Sequence, residues 1–203
     1  MAKSKATGKP NRLEDWLILA PYMINQVGIE KVSDINGLSD VREGFDSTGR
    51  SYMYHRLVSR GGLRISESAL ARYDDNIREY AERLSRNRGE QITLRYYQYL
   101  ALLLMEIYLD ELFKNPSELI NRLYAFQCEN DLLRSKPFGK GDLRKLALWM
   151  ATGSGKTLLM HINLWQIQKY NKGPNALDFE NIILITPNES LSDQHIEEMR
   201  LSG

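Results

Sequence analysis

Residues 146–160 read LALWMATGSGKTLLM, an apolar run, a glycine turn ending in Lys156-Thr157, and a second apolar run. How this stretch is read decides the fold. The segment LRKLALWM, residues 143–150, has the texture of a strand buried on both faces, and TLLMHINLWQIQKYNKGPN follows it as a helix that stops at Gly173-Pro174. NIILITP, residues 181–187, reads as a second such strand, and NESLSDQHIEEM as the helix after it. Strand, glycine turn, helix, strand and helix in that order open a parallel α/β sheet.

The turn between them carries chemistry. Gly153 and Gly155 remove side chains that would hold a phosphate away from the backbone, so successive amides can point at its oxygens. Lys156 starts the helix, where its ammonium and the positive end of the helix dipole face the same anion, and the Thr157 hydroxyl can ligate Mg²⁺. Thr152, Gly153, Ser154, Gly155, Lys156 and Thr157 are therefore the candidate ATP-binding residues. Lys156 and Thr157 are the candidate catalytic pair. The general pattern has a glycine five residues before Gly155, and Met150 stands there instead.

Upstream, the texture is helical. Residues 1–12 are basic, small and Pro/Gly-containing, and are expected to form a disordered tail. Residues 13–32 carry apolar residues at helical spacing around Pro21, which predicts two short helices or one kinked one. In VREGFDSTGRSYMYHRLV, Asp46-Ser47-Thr48-Gly49 lies between two segments of strand character and predicts a hairpin. ISESALARYDDNIREYAERLSRNRG places Leu70, Ile77, Tyr80, Ala81 and Leu84 on one face, with Gly89 as the stop. Thr93 is placed to cap LRYYQYLALLLMEIYLDELF, a helix rich enough in apolar residues to be largely buried. Asn115-Pro116-Ser117 ends it, a further helix follows to about residue 133, and RSKPFGKGD is a loop.

Bulk properties exclude several classes. Lys and Arg number 27 against 26 Asp and Glu, a net charge of +1, so any affinity for nucleic acid must come from local patches. The single cysteine, Cys128, permits no internal disulfide and suits a cytoplasmic, reducing environment. The best candidate for a membrane span, YLALLLMEIYL, is broken by Glu106 and falls short of the roughly 18 apolar residues a span needs. The basic start lacks the apolar core of a signal peptide.

MATGSGKT, with methionine where many phosphate loops have glycine or alanine, resembles the first motif of superfamily 2 helicases, especially the motor subunits of type I and type III restriction enzymes. In that family a helix bearing Leu-Arg-x-Tyr-Gln precedes the loop. Leu94-Arg95-Tyr96-Tyr97-Gln98 matches it. The resemblance implies that Gln98 reads the adenine base, with Arg95 beside it, since an amide can donate to N7 and accept from N6 at once. IILITPNESLSDQ resembles the family's next conserved strand and loop, which implies that Thr186, Pro187 and Asn188 hold a phosphate of the nucleic-acid strand.

The expected fold class is therefore α/β. A tail at 1–12 and a mostly helical region at 13–92 precede the start of a RecA-like phosphate-loop parallel-sheet domain at 93–203, incomplete at Gly203. The resemblance implies ATP and Mg²⁺ as cofactors and duplex DNA as partner, together with a DNA methyltransferase or recognition subunit. Hydrolysis by such a fold needs an Asp-Glu on a later strand and arginines from a second lobe, and neither follows Thr157. The expectation is a fragment of a helicase or translocase, with weak nucleotide binding and negligible turnover. The other readings are a non-hydrolysing, nucleotide-dependent interaction module and, more remotely, a small phosphate-loop kinase, which would need a lid with arginines where only Arg200 follows. Asp110-Glu111 is expected to be a helix surface pair. The Arg and Tyr residues of GRSYMYHRLVSRGGLR are expected on a solvated hairpin, His161 on a helix, and His195 at the surface.

Overall fold

The computed structural model describes residues 17–130 and 138–203. The expected tail at 1–12, residues 13–16 of the first expected helix, and 131–137, which include the start of the expected loop, lie outside the described residues. The helices are α1 (Leu19–Gln26), α2 (Tyr52–Arg60), α3 (Glu67–Arg88), α4 (Tyr96–Lys114), α5 (Pro116–Glu129), α6 (Lys156–Tyr170) and α7 (Glu189–Ser202). Short 3-10 segments lie at Val32–Leu38 and Asp142–Arg144.

Local chemistry sets most boundaries. Ser66 accepts from the Ala69 amide at the start of α3, and Gly89 ends it at φ 68°, a left-handed conformation that suits glycine. Asn115 closes α4 and caps α5, accepting from Glu118 N–H, while Pro116 takes the first helical position where no amide is needed. Asn188 caps α7 through Leu191 N–H. Pro21 sits in the first turn of one helix, α1, where its missing amide costs nothing.

Three expectations are corrected. The hairpin reduces to a single bridge between Phe45 and Ser51. The Asp46 carboxylate folds the turn by accepting from the Thr48 and Arg50 amides, and the Ser51 hydroxyl then caps α2, so the second arm is helix and not strand. The cap of α4 is not Thr93. It is Arg95, whose backbone N–H donates to Gln98 Oε1 at 2.9 Å.

The larger correction concerns the fold class. Among the described residues there is no β-strand, and so no RecA-like parallel sheet. Residues 146–150 and 181–187 make no backbone hydrogen bond to each other or to any other described segment. Trp149 is 91% exposed, Ile183 80% and Ile185 87%. An apolar run is a strand only when neighbouring strands take its N–H and C=O groups, and the run itself says nothing about whether they are there.

The core is a helical assembly around α4. That helix packs against α6, α3, α5 and α1, and is buried almost all round, with Leu100, Leu102, Leu103, Ile107 and Leu109 inside. A helix apolar on every side belongs in the middle of a bundle. Leu70, Ile77 and Leu84 of α3 and Leu159 and Ile162 of α6 close on it. The loops after α1 and α2 meet closely: a Cβ at Gly28, which has φ +77°, would lie 2.5 Å from Gly61 O. Among the described residues no helix is long and apolar enough to cross a membrane.

Candidate nucleotide-binding site

The glycine turn is held between α4 and α6. Gly153 and Gly155 have φ +76° and +82°, so both adopt the left-handed conformation that other residues avoid. The turn delivers the chain into α6 at Lys156. The N-termini of α2, α3, α5 and α7 each receive a capping side-chain oxygen, whereas α6 receives none and has no acidic residue in its first turn. Its first amides and the positive end of its dipole are thus open to an anion.

The Lys156 ammonium folds back over the turn and donates to Ala151 O at 2.8 Å and Met150 O at 3.4 Å. Carbonyls satisfy it there, and a phosphate placed on the turn offers a stronger, charged acceptor within the same reach. Thr157 is half-buried in the first turn of α6, Thr152 and Gly153 are exposed, and Ser154 is buried. Beside the turn runs a groove of about 500 Å³ whose walls include Ile35, Tyr97, Leu100 and Leu104, with residues 149–154 along one side. A larger cleft, about 550 Å³, lies between the 44–49 turn and α3. The turn in that cleft leads into α2, whose first amides the Ser51 hydroxyl already takes, so the smaller groove is the one beside an open helix N-terminus.

Gln98, 8% exposed, comes to the turn from the first coil of α4 and donates to Ser154 O at 2.9 Å. Arg95 does not accompany it. The Arg95 guanidinium points instead to Glu43, at 3.2 Å.

A second polar link was not visible as a site in the sequence. Glu106, in the middle of α4, is fully buried and accepts from Gln166 Nε2 of α6 at 2.8 Å, Tyr170 OH of α6 at 2.6 Å and Asn76 Nδ2 of α3 at 2.5 Å. Gln166 also donates to Leu102 O at 3.0 Å. The helix that starts at the glycine turn is thereby keyed to α4 by hydrogen bonds as well as by packing. The one signal in the sequence was the lone carboxylate inside an otherwise apolar run.

Residues 91–202 match the family described as type III restriction enzyme, res subunit. The chain belongs to that family. No curated protein and no solved structure matches it. The match takes in the glycine turn, Gln98 and Glu106, so in this res-subunit chain the turn lies inside the helicase-like, ATP-using part of the family.

Other expected res-subunit positions fall elsewhere. Thr186 donates its hydroxyl to Asn188 O at 2.9 Å and also bonds Ser192 Oγ, while Pro187 and Asn188 are exposed. Asp110 pairs with Arg72 and Tyr73, and Glu111 accepts from Tyr22 OH and Arg122, so neither carboxylate faces the turn. Among the described residues no cluster of three or more His, Cys, Asp or Glu could hold a metal. The Arg and Tyr residues of 50–64 are largely engaged internally, Arg50 with Asp74 and Asp75, Arg56 with Asp40, and Tyr54 with Glu67. His161 is buried, with Nδ1 at 2.7 Å from Ser202 Oγ and Nε2 without a partner among the described residues. Burial, and then the nearby Arg88 charge, hold its pKa below the usual 6.5. His195 is half-buried.

Proposed function

We propose that this chain binds ATP with Mg²⁺ on the turn Thr152 to Thr157, as the nucleotide-binding part of a DNA helicase or translocase of the restriction-enzyme type. The observation that carries this reading is the uncapped N-terminus of α6. Two left-handed glycines lead into it, no side-chain oxygen among the described residues occupies its first amides, and Lys156 lies across the turn with its ammonium on weak neutral acceptors. The residues fit the group: the amides of Gly153 and of residues 155–157 for phosphate oxygens, Lys156 for their charge, and the Thr157 hydroxyl with the phosphates themselves for Mg²⁺. When bound, the nucleotide supplies a phosphoric anhydride whose cleavage drives motion in helicases.

What this chain contributes is binding and orientation. Lys156 neutralises the terminal phosphates, the dipole of α6 adds to it, and the Glu106 links hold α6 so that its amides keep their aim. Duplex DNA is the proposed partner, met at Thr186, Pro187 and the outward amide nitrogen of Asn188. The Asn188 oxygen already caps α7, so its nitrogen is the part that can face a phosphate. A methyltransferase or recognition subunit is the proposed protein partner, and the cytoplasm the proposed location.

Displacement of a fluorescent ATP analogue by ATP tests the binding claim. ATP with Mg²⁺ is expected to displace it more tightly than ATP with chelator, and Thr157→Ala is expected to remove that difference. An affinity indifferent to both Mg²⁺ and Thr157 would overturn the assignment of the turn.

A further inference from the structure

At the opposite end of α6 from the glycine turn lies a groove with no part in the nucleotide reading. Leu109, Leu112 and Phe113 of α4 and Ile167 of α6 form its floor, and the segments 143–146 and 174–179 form its walls. Two adjoining hollows of about 460 and 260 Å³ make it up, with Leu112, Phe113, Arg144 and Leu177 common to both. Side chains bonded to backbone hold the walls in place. Asn175 Nδ2 donates to Phe113 O at 3.0 Å and Lys114 O at 3.1 Å, satisfying carbonyls at the end of α4. Asn171 Oδ1 accepts from the Leu177 amide at 2.6 Å, its Nδ2 donates to Leu177 O at 2.8 Å, and the Tyr108 hydroxyl donates to Leu143 O. The groove is therefore formed before any partner arrives.

Its chemistry is divided along its length. At one end the lining is apolar and open, with Leu146 42% and Phe179 51% exposed. Toward the other stand Arg144 and Lys140, and past Pro174 a third hollow adds Lys114 and Lys172. None of these four cations is in an ion pair among the described residues. Of the carboxylates along the three hollows, Asp110 is neutralised by Arg72, which leaves Asp178 against the four.

An apolar floor with a positive rim selects its occupant. Duplex DNA presents phosphates and polar groove edges, which match the rim and leave the floor unfilled. An uncharged apolar surface fills the floor and leaves the cations without acceptors. The parts of this chain outside the described residues carry the wrong sign: residues 1–16 have four Lys and Arg against two Asp and Glu, and residues 131–137 have two against one. We propose that the groove docks a separate protein through an acidic segment. Its large apolar side chains seat between Leu112, Leu146 and Phe179, and its carboxylates face Arg144, Lys140 and the two lysines beyond. The docked segment touches Ile167, and so the helix that starts at the glycine turn, whatever that turn binds.

Selection of a displayed random peptide library on the wild-type chain, counter-selected on a variant carrying Lys140→Glu with Arg144→Glu, tests the proposal. Both substituted side chains are exposed, so the melting temperature of the variant is expected to match that of the wild type. The retained peptides are expected to carry Asp or Glu beside a few large apolar residues. The most enriched of them, synthesised and titrated, is expected to bind the double variant about tenfold more weakly or worse, and to bind the wild type less well as salt is raised. Leu112→Ser, which keeps every charge, is expected to weaken it too. On the wild type alone, the bound peptide is expected to slow amide hydrogen exchange at residues 109–114 and 176–179. Peptides retained equally by both targets, peptides with no excess of acidic residues, or unchanged exchange at the groove would overturn the proposal. Duplex DNA that slows exchange at the same residues and is lost in the double variant would make the rim a phosphate surface and overturn it. Self-association of the wild type that the double variant abolishes would give the groove to a second copy, with the same result.

Discussion

The α3, α4 and α6 bundle and the two extended runs at 146–150 and 181–187 are equally apolar in sequence and opposite in structure. Leu103 and Ile107 of α4 are fully buried, while Trp149, Ile183 and Ile185 are almost wholly in solvent. A helix satisfies its own backbone and needs only side-chain neighbours, which α3 and α6 provide along the length of α4. An extended run needs backbone partners as well, and these two runs have none among the described residues. Apolar content therefore measures how much a segment gains from burial, and the element type decides whether the burial is reached.

Six substitutions and a change of pH can break or sharpen that contrast. Leu103→Ala, which removes a fully buried side chain from the centre of α4, is expected to cost about 2–5 kcal/mol in urea unfolding. A cost below 1 kcal/mol would mean that α4 is not the centre of the core. Glu106→Ala leaves donors on Asn76, Gln166 and Tyr170 facing a void and is expected to cost roughly 1–3 kcal/mol. Combined with Gln166→Ala, the loss should be clearly less than the sum of the two single losses, and strict additivity would show that the α4 to α6 link is not made.

A smaller effect comes from His161. Its folded pKa lies below 6.5, so the unfolded chain binds the proton more readily in the window below 6.5. Its contribution to stability is whole above pH 6.5 and is lost as pH falls below that value, so the melting temperature should drop between pH 7 and pH 5. His161→Gln is expected to flatten that slope, and an unchanged slope would place the titration elsewhere. The smallest effects belong to the extended runs. Trp149→Ser and Ile185→Lys are expected to change stability by no more than about 0.5 kcal/mol. A loss of 2 kcal/mol at either would show that the run is packed.

The helices were legible because their signals are local: Ser66 and Gly89 bracket α3, Asn115-Pro116 divides α4 from α5, and Asn188 opens α7. The backbone of the glycine turn was legible for the same reason, since Gly153 and Gly155 permit the left-handed conformation that both adopt. The sheet was not, because pairing is a relation between distant segments, and LRKLALWM and NIILITP look the same with or without neighbours. The second arm of the expected hairpin failed differently, as Ser51 offered a helix cap that outweighed the alternation of Tyr52 and Tyr54. Gln98 was found by its resemblance to a motif, but its bonds to Arg95 and Ser154 depend on how α4 meets the turn, which no spacing reveals.

Between the exposed run at 146–150 and the buried helix α6 lies the glycine turn proposed to bind ATP. Calorimetric titration of Mg²⁺-ATP into the wild-type chain and into Lys156→Ala tests that most directly. Saturable one-to-one binding by the wild type, weakened at least about tenfold in Lys156→Ala by loss of a charge-assisted contact, is the result predicted. No binding by the wild type, or equal binding by both, would contradict it.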